Sequence, residues 1–571
     1  MKRLWGVWVG MLMVSACGQI AERKQPPPSL YQLSQSDLDL SGEQLARGYC
    51  ASCHVMPEPE VLDKATWEKV LPDMRKRMGL YVEEDFGTTL PEDEGVPEGI
   101  YSKIPYITRE KWEKLQAYYL ENAPAEPLPQ VSKAQPMLGI PGFQLEQPTF
   151  PFVRSSLTTM LRVHPQTGKL WLGHRFRALF ELDPANQFAQ LDSIPTAVAP
   201  VEIRWKEDQS FELLAMGLMD PANDSLGTVS KYVKNGSSWK SQLMFEKLMR
   251  PVHVEVADWN GDGKSDYGIS QFGNHLGKFS LHLSNGVAFQ EVILKKDPGA
   301  RRSMAVDYEG DGDLDILVLM TQAKEGLVLF ENTGSGKFKE RQLLSFQPAF
   351  GSSDFRFEDM NGDGEAELIL VNGDNADQSQ ILKNYHGVRI FERASSGEFE
   401  EKWFYPMHGA TGLEVGDFDQ DGKMDVVTIA FFPDRKQKPY QNLIYFKQEK
   451  SGSFQPFVLK EQLEDHWLTL TKGDLDKDGD EDILYTNGDA FDYIARIFTN
   501  RNFSSQYLEN ERYSYEILLL VLLFILVEWN ARAKIEPISG KYSWVKVMLC
   551  LAALLALGTY SDYKEFIYFQ F

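Results

Sequence analysis

The chain is 571 residues long, 43% hydrophobic and 25% charged, with a formal net charge of −23. That length exceeds one ordinary domain, and the composition excludes a disordered chain. The acidic balance excludes a nucleic-acid partner, because binding phosphate needs a basic face.

At the N-terminus Lys2 and Arg3 precede an apolar run from Leu4 to Val14 that ends in Val14-Ser15-Ala16-Cys17. This order predicts an export signal over residues 1–17. Small residues before a cysteine resemble the bacterial lipoprotein box, which implies lipid on Cys17; an ordinary cleaved signal is the alternative. Residues 18–38, with Pro26-Pro27-Pro28, read as a tether. The expected location is the periplasmic or outer face of a bacterial membrane. Of the four cysteines, Cys17 ends the signal, Cys50 and Cys53 share one motif, and Cys550 lies in an apolar run. None is left for a disulfide framework.

Cys50-Ala51-Ser52-Cys53-His54 is the strongest chemical signal. Two thiols at this spacing add across the vinyl groups of haem, and the following histidine is placed to bind the iron. A CxxC redox pair lacks a βαβ context, and half a zinc site lacks a partner CxxC. Ser41 is an expected N-cap for a helix entering the motif. Trp67, Val70, Leu71 and Met74 recur at helical spacing with Gly79 as a stop, and a third helix is expected from Thr108 to before Pro124. This order over residues 39–125 resembles a class I cytochrome c domain, with His54 as proximal iron ligand. Leu71-Pro72-Asp73-Met74 resembles a Leu-Pro-x-Met segment of fused cytochromes, which implies Met74 as distal ligand, with Met78 as the alternative. No histidine lies between His54 and His164, so this domain has no second histidine to offer.

Beyond a Pro-rich linker with a candidate closing strand (126–149), helical period gives way to alternation. Five segments share one pattern, starting at Asp258, Asp307, Asp359, Asp417 and Asp474, hence 49, 52, 58 and 57 residues apart. Oxygen side chains recur at positions 1, 3, 5 and 9. The first copy has Asp258, Asn260, Asp262 and Asp266, and the second Asp307, Glu309, Asp311 and Asp315. The third has Asp359, Asn361, Asp363 and Glu367. The fourth has Asp417, Asp419, Asp421 and Asp425, and the fifth Asp474, Asp476, Asp478 and Asp482. With glycine at position 6, such a loop can wrap one calcium ion. An EF-hand is excluded by the ligand at position 9 and by flanking strands such as Val252, Val254 and Val256. Acidic hairpin turns without metal are the plainer alternative. The repeats resemble the VCBS/FG-GAP β-propeller family over 150–503. Two units without the motif, near Val163 to Gly173 and Val201 to Leu243, bring the expected blade number to seven.

Two apolar runs, Ile517–Val527 and Val547–Tyr560, flank a basic loop within residues 504–571. They are expected to anchor the chain in the membrane as a helix pair, or else to pack on the propeller. The segment resembles the C-terminus of membrane-bound O-acyltransferases, without that family's catalytic core.

The expected architecture is multidomain: an all-α cytochrome domain, an all-β propeller and a hydrophobic helix pair. The cofactors expected are haem c and calcium. The combination resembles exported bacterial fusions of cytochrome c and VCBS propeller. It implies an electron-transfer protein whose propeller docks a redox partner protein. A redox enzyme whose propeller binds substrate, or a recognition and adhesion module, remain open.

Overall fold

A computed structural model describes residues 39–80, 96–97, 99–102, 105–146, 158–175, 177–207, 209–219, 221–373, 381–450, 452–463 and 466–487. The expected signal, Cys17, the tether and the C-terminal hydrophobic pair lie outside these residues. Among the described residues no helix is long and apolar enough to cross a membrane.

Three α-helices come first: α1 (Gly42–Tyr49), α2 (Lys64–Arg77) and α3 (Arg109–Asn122). Each starts on a side-chain cap that satisfies an otherwise orphaned backbone N–H. Ser41 forms a capping box with Gln44, Asp63 accepts from Thr66 N at 3.2 Å, and Thr108 accepts from Lys111 N at 3.3 Å. Gly79, at φ 81°, follows the end of α2, where a left-handed residue costs glycine least. Leu45, Trp67, Leu71, Trp112, Leu115 and Tyr119 close one apolar core. Helices α1 and α3 approach so closely at Gly42 that a Cβ there would lie 2.5 Å from the Lys114 carbonyl oxygen.

Among the described residues from 158 onward, six sets of four sequential antiparallel strands form the blades of a β-propeller. The blades occupy residues 158–195, 200–248, 251–295, 300–345, 352–406 and 410–458. The two expected units without the acidic motif are the first two of these. In blades three to six the second strand is buried at every position (Asp266–Gln271, Asp315–Met320, Glu367–Asn372, Asp425–Ala430). Both faces of those strands meet neighbouring sheets, so those of blades four to six read as nearly continuous apolar runs, while the outer strands of blades three to five are largely exposed or half-buried. Apolar clusters fill the gaps between successive blades, such as Leu317, Leu319, Phe355, Leu368 and Leu370 between the fourth and fifth. Side chains of the innermost strands are instead polar and paired. Arg162 meets Glu202 at 2.7 Å, and Arg356 meets Asp354 at 3.0 Å and Glu414 at 2.8 Å.

Seven blades were expected; among the described residues the structure shows six. The seventh unit is a sheet of only two strands, Trp467–Gly473 and Asp482–Asn487. It sits between the first strands of blades six and one, and Leu484 packs into the apolar cluster of blade one. A blade is made by long-range pairing, and this pair has no third or fourth strand among the described residues. Within the described part of the linker, Met137–Leu138 forms a short strand that pairs in parallel with the last strand of blade six.

The helical unit is seated on the propeller. Tyr385 of blade five donates to the Val61 carbonyl at 3.1 Å, and Gln347 accepts from Glu58 N at 2.8 Å. Ala349, Phe350, Ile381 and Tyr385 extend the helical core into the β-domain. The Pro-rich segment also lies on the sheets: Lys133 reaches Gln441 at 2.8 Å, and Tyr405 donates to the Ala134 carbonyl at 2.8 Å.

Candidate functional sites

Helix α1 runs into a 3-10 turn at Cys50–Ser52, so both thiols and His54 lie on one tight stretch of backbone. The Cys53 N–H points to the Cys50 carbonyl at 3.5 Å. Both cysteines are free thiols; Cys50 is half-buried and Cys53 exposed. Burial pushes the Cys50 thiol up to about 11, against the opposing effect of a hydrogen bond from Tyr119. The His54 Nδ1 donates to the Val55 carbonyl at 2.8 Å, which leaves Nε2 with its lone pair. Burial, assisted by Arg77, lowers the affinity of His54 for a proton and favours the neutral ring that a metal requires. Tyr106 donates to the Arg77 carbonyl at 2.9 Å and walls the same side. Met74 is half-buried and Met78 buried, both in the apolar cluster that includes Cys50. Two free thiols and a neutral histidine with its free nitrogen form a donor set that fits haem.

The five acidic loops occupy one equivalent place, the turn between the first and second strands of blades three to six and of the two-stranded sheet. Their glycines at position 6, Gly263, Gly312, Gly364, Gly422 and Gly479, have φ between 79° and 97°, where other residues are strained. The carboxylate at position 1 gathers backbone N–H groups across the turn. Asp258 accepts from Asp262 N at 3.1 Å and Gly263 N at 2.7 Å, and Asp359 and Asp417 do the same in their loops. At position 9, Asp266, Asp315, Glu367 and Asp425 are buried. Asp315 accepts from Tyr308 N at 2.8 Å and from Asn332 N at 2.7 Å, tying the loop to the third strand.

Burial raises the proton affinity of the position-9 carboxylates Asp266, Glu367, Asp425 and Asp482, whereas hydrogen bonds hold Asp262, Asp359 and Asp421 below the usual range. Burial and the neighbouring Asp315 push Glu309 up to about 7, and burial pushes Asp425 up to about 6. In two loops at least three carboxylates bring oxygens within 4.8 Å of one another: Asp417, Asp419 and Asp421, and Asp474, Asp476 and Asp482. Asp419 Oδ1 and Asp474 Oδ1 are buried with no hydrogen-bond partner among the described residues. Such oxygens suit a hard cation.

The loops differ in a way their shared spacing conceals. Lys264 sits 2.9 Å from Asp262, and Lys423 sits 2.9 Å from Asp421. Lys447, from the third strand of blade six, pairs with Asp419 and lies 3.2 Å from Asp421. In the fifth loop the one lysine, Lys477, instead reaches the Gln166 carbonyl at 3.4 Å. A second feature legible only in part is position 4, left-handed throughout. It is glycine at 261, 310 and 362 but Gln420 and Lys477 in the last two loops.

A family model described as an FG-GAP-like repeat matches residues 307–370, which span the second and third acidic loops. No curated protein matches the chain. The match and the blades agree on a propeller with FG-GAP-like repeats, a fold suited to docking or recognition.

Proposed function

We propose that the chain is a haem-bearing electron-transfer protein whose calcium-stabilised propeller docks a redox partner protein. In this reading Cys50 and Cys53 hold haem c by thioether bonds, and His54 is the proximal iron ligand. Met74 is the distal ligand, with Met78 as the alternative. Bound haem supplies one-electron exchange. The chain's own part is to orient His54 through Val55, keep it neutral, and set the motif on a rigid base. The observation that carries the proposal is the His54 Nδ1 bond to Val55, because it presents Nε2 to a metal.

The acidic loops are proposed to bind calcium, the fifth most readily because Asp474, Asp476 and Asp482 bring oxygens within 4.8 Å of one another and, unlike the fourth loop, have no lysine paired with them among the described residues. Export and membrane attachment through residues 1–17, Cys17 and residues 504–571 belong to the same proposal.

The test is to express the full chain in a host that attaches c-type haem and to measure its mass and alkaline pyridine spectrum. Covalent haem on the wild type, lost in Cys50→Ala and Cys53→Ala, is the expected result. Exported protein with both thiols free would overturn the reading. Among variants that retain haem, Met74→Ala should change the ligation spectrum while Met78→Ala leaves it alone.

A further inference from the structure

Blades one and two carry no acidic loop, yet a cavity walled by aromatic rings lies between them. Its volume is about 60 Å³, with Trp171, Trp205, Trp239, Phe211, Glu181 and Lys234 in its wall. The rings pack edge to face. Trp171 lies 6.4 Å from Trp205, 6.2 Å from Trp239 and 5.3 Å from Phe211. The four rings come from strands in two different sheets, so the cavity exists only after the blades associate.

Two of the indoles are incompletely satisfied. Trp239 Nε1 donates to Asp192 at 2.8 Å, but the Nε1 atoms of Trp171 and Trp205 are buried with no partner among the described residues. Trp171 as a whole is 3% exposed. A buried donor without an acceptor is costly, so a ligand that brings an acceptor gains what the fold leaves unmet. The charges on the wall oppose each other. Glu181 is half-buried with Lys234 near it, while Lys234 lies 3.9 Å from Asp192 and 5.2 Å from the Trp239 ring. A net anion or cation therefore meets one attractive and one repulsive group, which favours a neutral ligand.

Size narrows the choice. The cavity has room for roughly four to five waters, so it takes a substituent rather than a whole ring. A neutral group of that size with an apolar face, one acceptor and one donor is an acetamido group. Its methyl would lie on the indoles, its carbonyl would accept from an indole N–H, and its N–H would face Glu181. The hydroxyls of Thr167 and Ser210, also in the wall, would meet the hydroxyls of an attached sugar. We propose that the cavity between blades one and two binds the acetamido group of an N-acetylated amino sugar. The site is independent of the haem motif, although the turn bearing Thr167 rests on the fifth acidic loop through Lys477.

The test uses the full chain and follows tryptophan fluorescence and heat on titration with N-acetylglucosamine, glucose and Nε-acetyl-lysine methylamide. Saturable binding of N-acetylglucosamine, at least about tenfold tighter than either comparison ligand, is the expected result. Trp205→Phe keeps a ring but deletes the N–H, and should weaken binding about tenfold, the effect of one buried hydrogen bond. Overturning results are no saturable response to N-acetylglucosamine, equal affinity for glucose, tighter binding of the acetyl-lysine, or unchanged affinity in folded Trp205→Phe. Should that variant not fold, the ranking of the three ligands on the wild type decides alone.

Discussion

Replacing Asp315 with alanine tests whether the acidic loops hold the blades together through their own hydrogen bonds as well as through metal. Asp315 is 1% exposed, and its two oxygens accept from Tyr308 N at 2.8 Å and Asn332 N at 2.7 Å. Alanine leaves both N–H groups buried without an acceptor. Each such loss costs about 1–3 kcal/mol, so the expected destabilisation is about 4 kcal/mol even in excess chelator. For a domain of this size that corresponds to a fall in melting temperature of roughly 5–10 °C. The control is Asp313→Ala at the exposed seventh position, where only the backbone carbonyl is placed to ligate; its cost should stay within about 0.5 kcal/mol. Scanning calorimetry of all three proteins, in chelator and in calcium, gives the comparison. Equal melting of the two variants in chelator would refute the hydrogen-bond argument. If calcium binds this loop, adding it should raise the wild type and widen its gap to Asp315→Ala. A gap unaltered by calcium would remove the metal from this loop.

Two further outcomes follow from the same reasoning. Glu325 is buried under the seat of the helical unit, accepts from Gly351 N and Ser352 N, and is pushed up to about 7 by burial. An acid whose folded value is raised contributes stability that is complete below its unfolded value near 4.5 and lost as pH rises through about 7. Wild type should therefore lose on the order of 3 kcal/mol across that window relative to Glu325→Gln, and melting curves of the pair that run parallel with pH would contradict it. Gly42→Val should separate α1 from α3, because its Cβ would collide with the Lys114 carbonyl. A cost of about 1–3 kcal/mol, and faster proteolysis within 42–49, are expected, whereas wild-type proteolysis rates would show that α1 yields without strain.

What the sequence determined by itself is local. Helix starts at Ser41 and Thr108 were legible because a capping side chain bonds its own first turn. The five acidic turns were legible because their glycines and oxygens act within nine residues of one another. The strands leaving the second, third and fourth of those turns were legible because burial on both faces makes them largely apolar. Tertiary structure decided what depends on pairing between distant segments. Among the described residues the blade number fell to six because the last acidic copy heads only a two-stranded sheet, and a blade depends on pairing with further strands. The five loops proved unequal because Lys447 reaches the fourth from another strand, so equal spacing did not mean equal charge. The seat of the helical unit rests on Gln347 and Tyr385, hundreds of residues from Glu58 and Val61. The aromatic cavity likewise gathers side chains from two sheets, and tryptophans scattered along a chain read as core until the fold shows which indole N–H groups lack a partner.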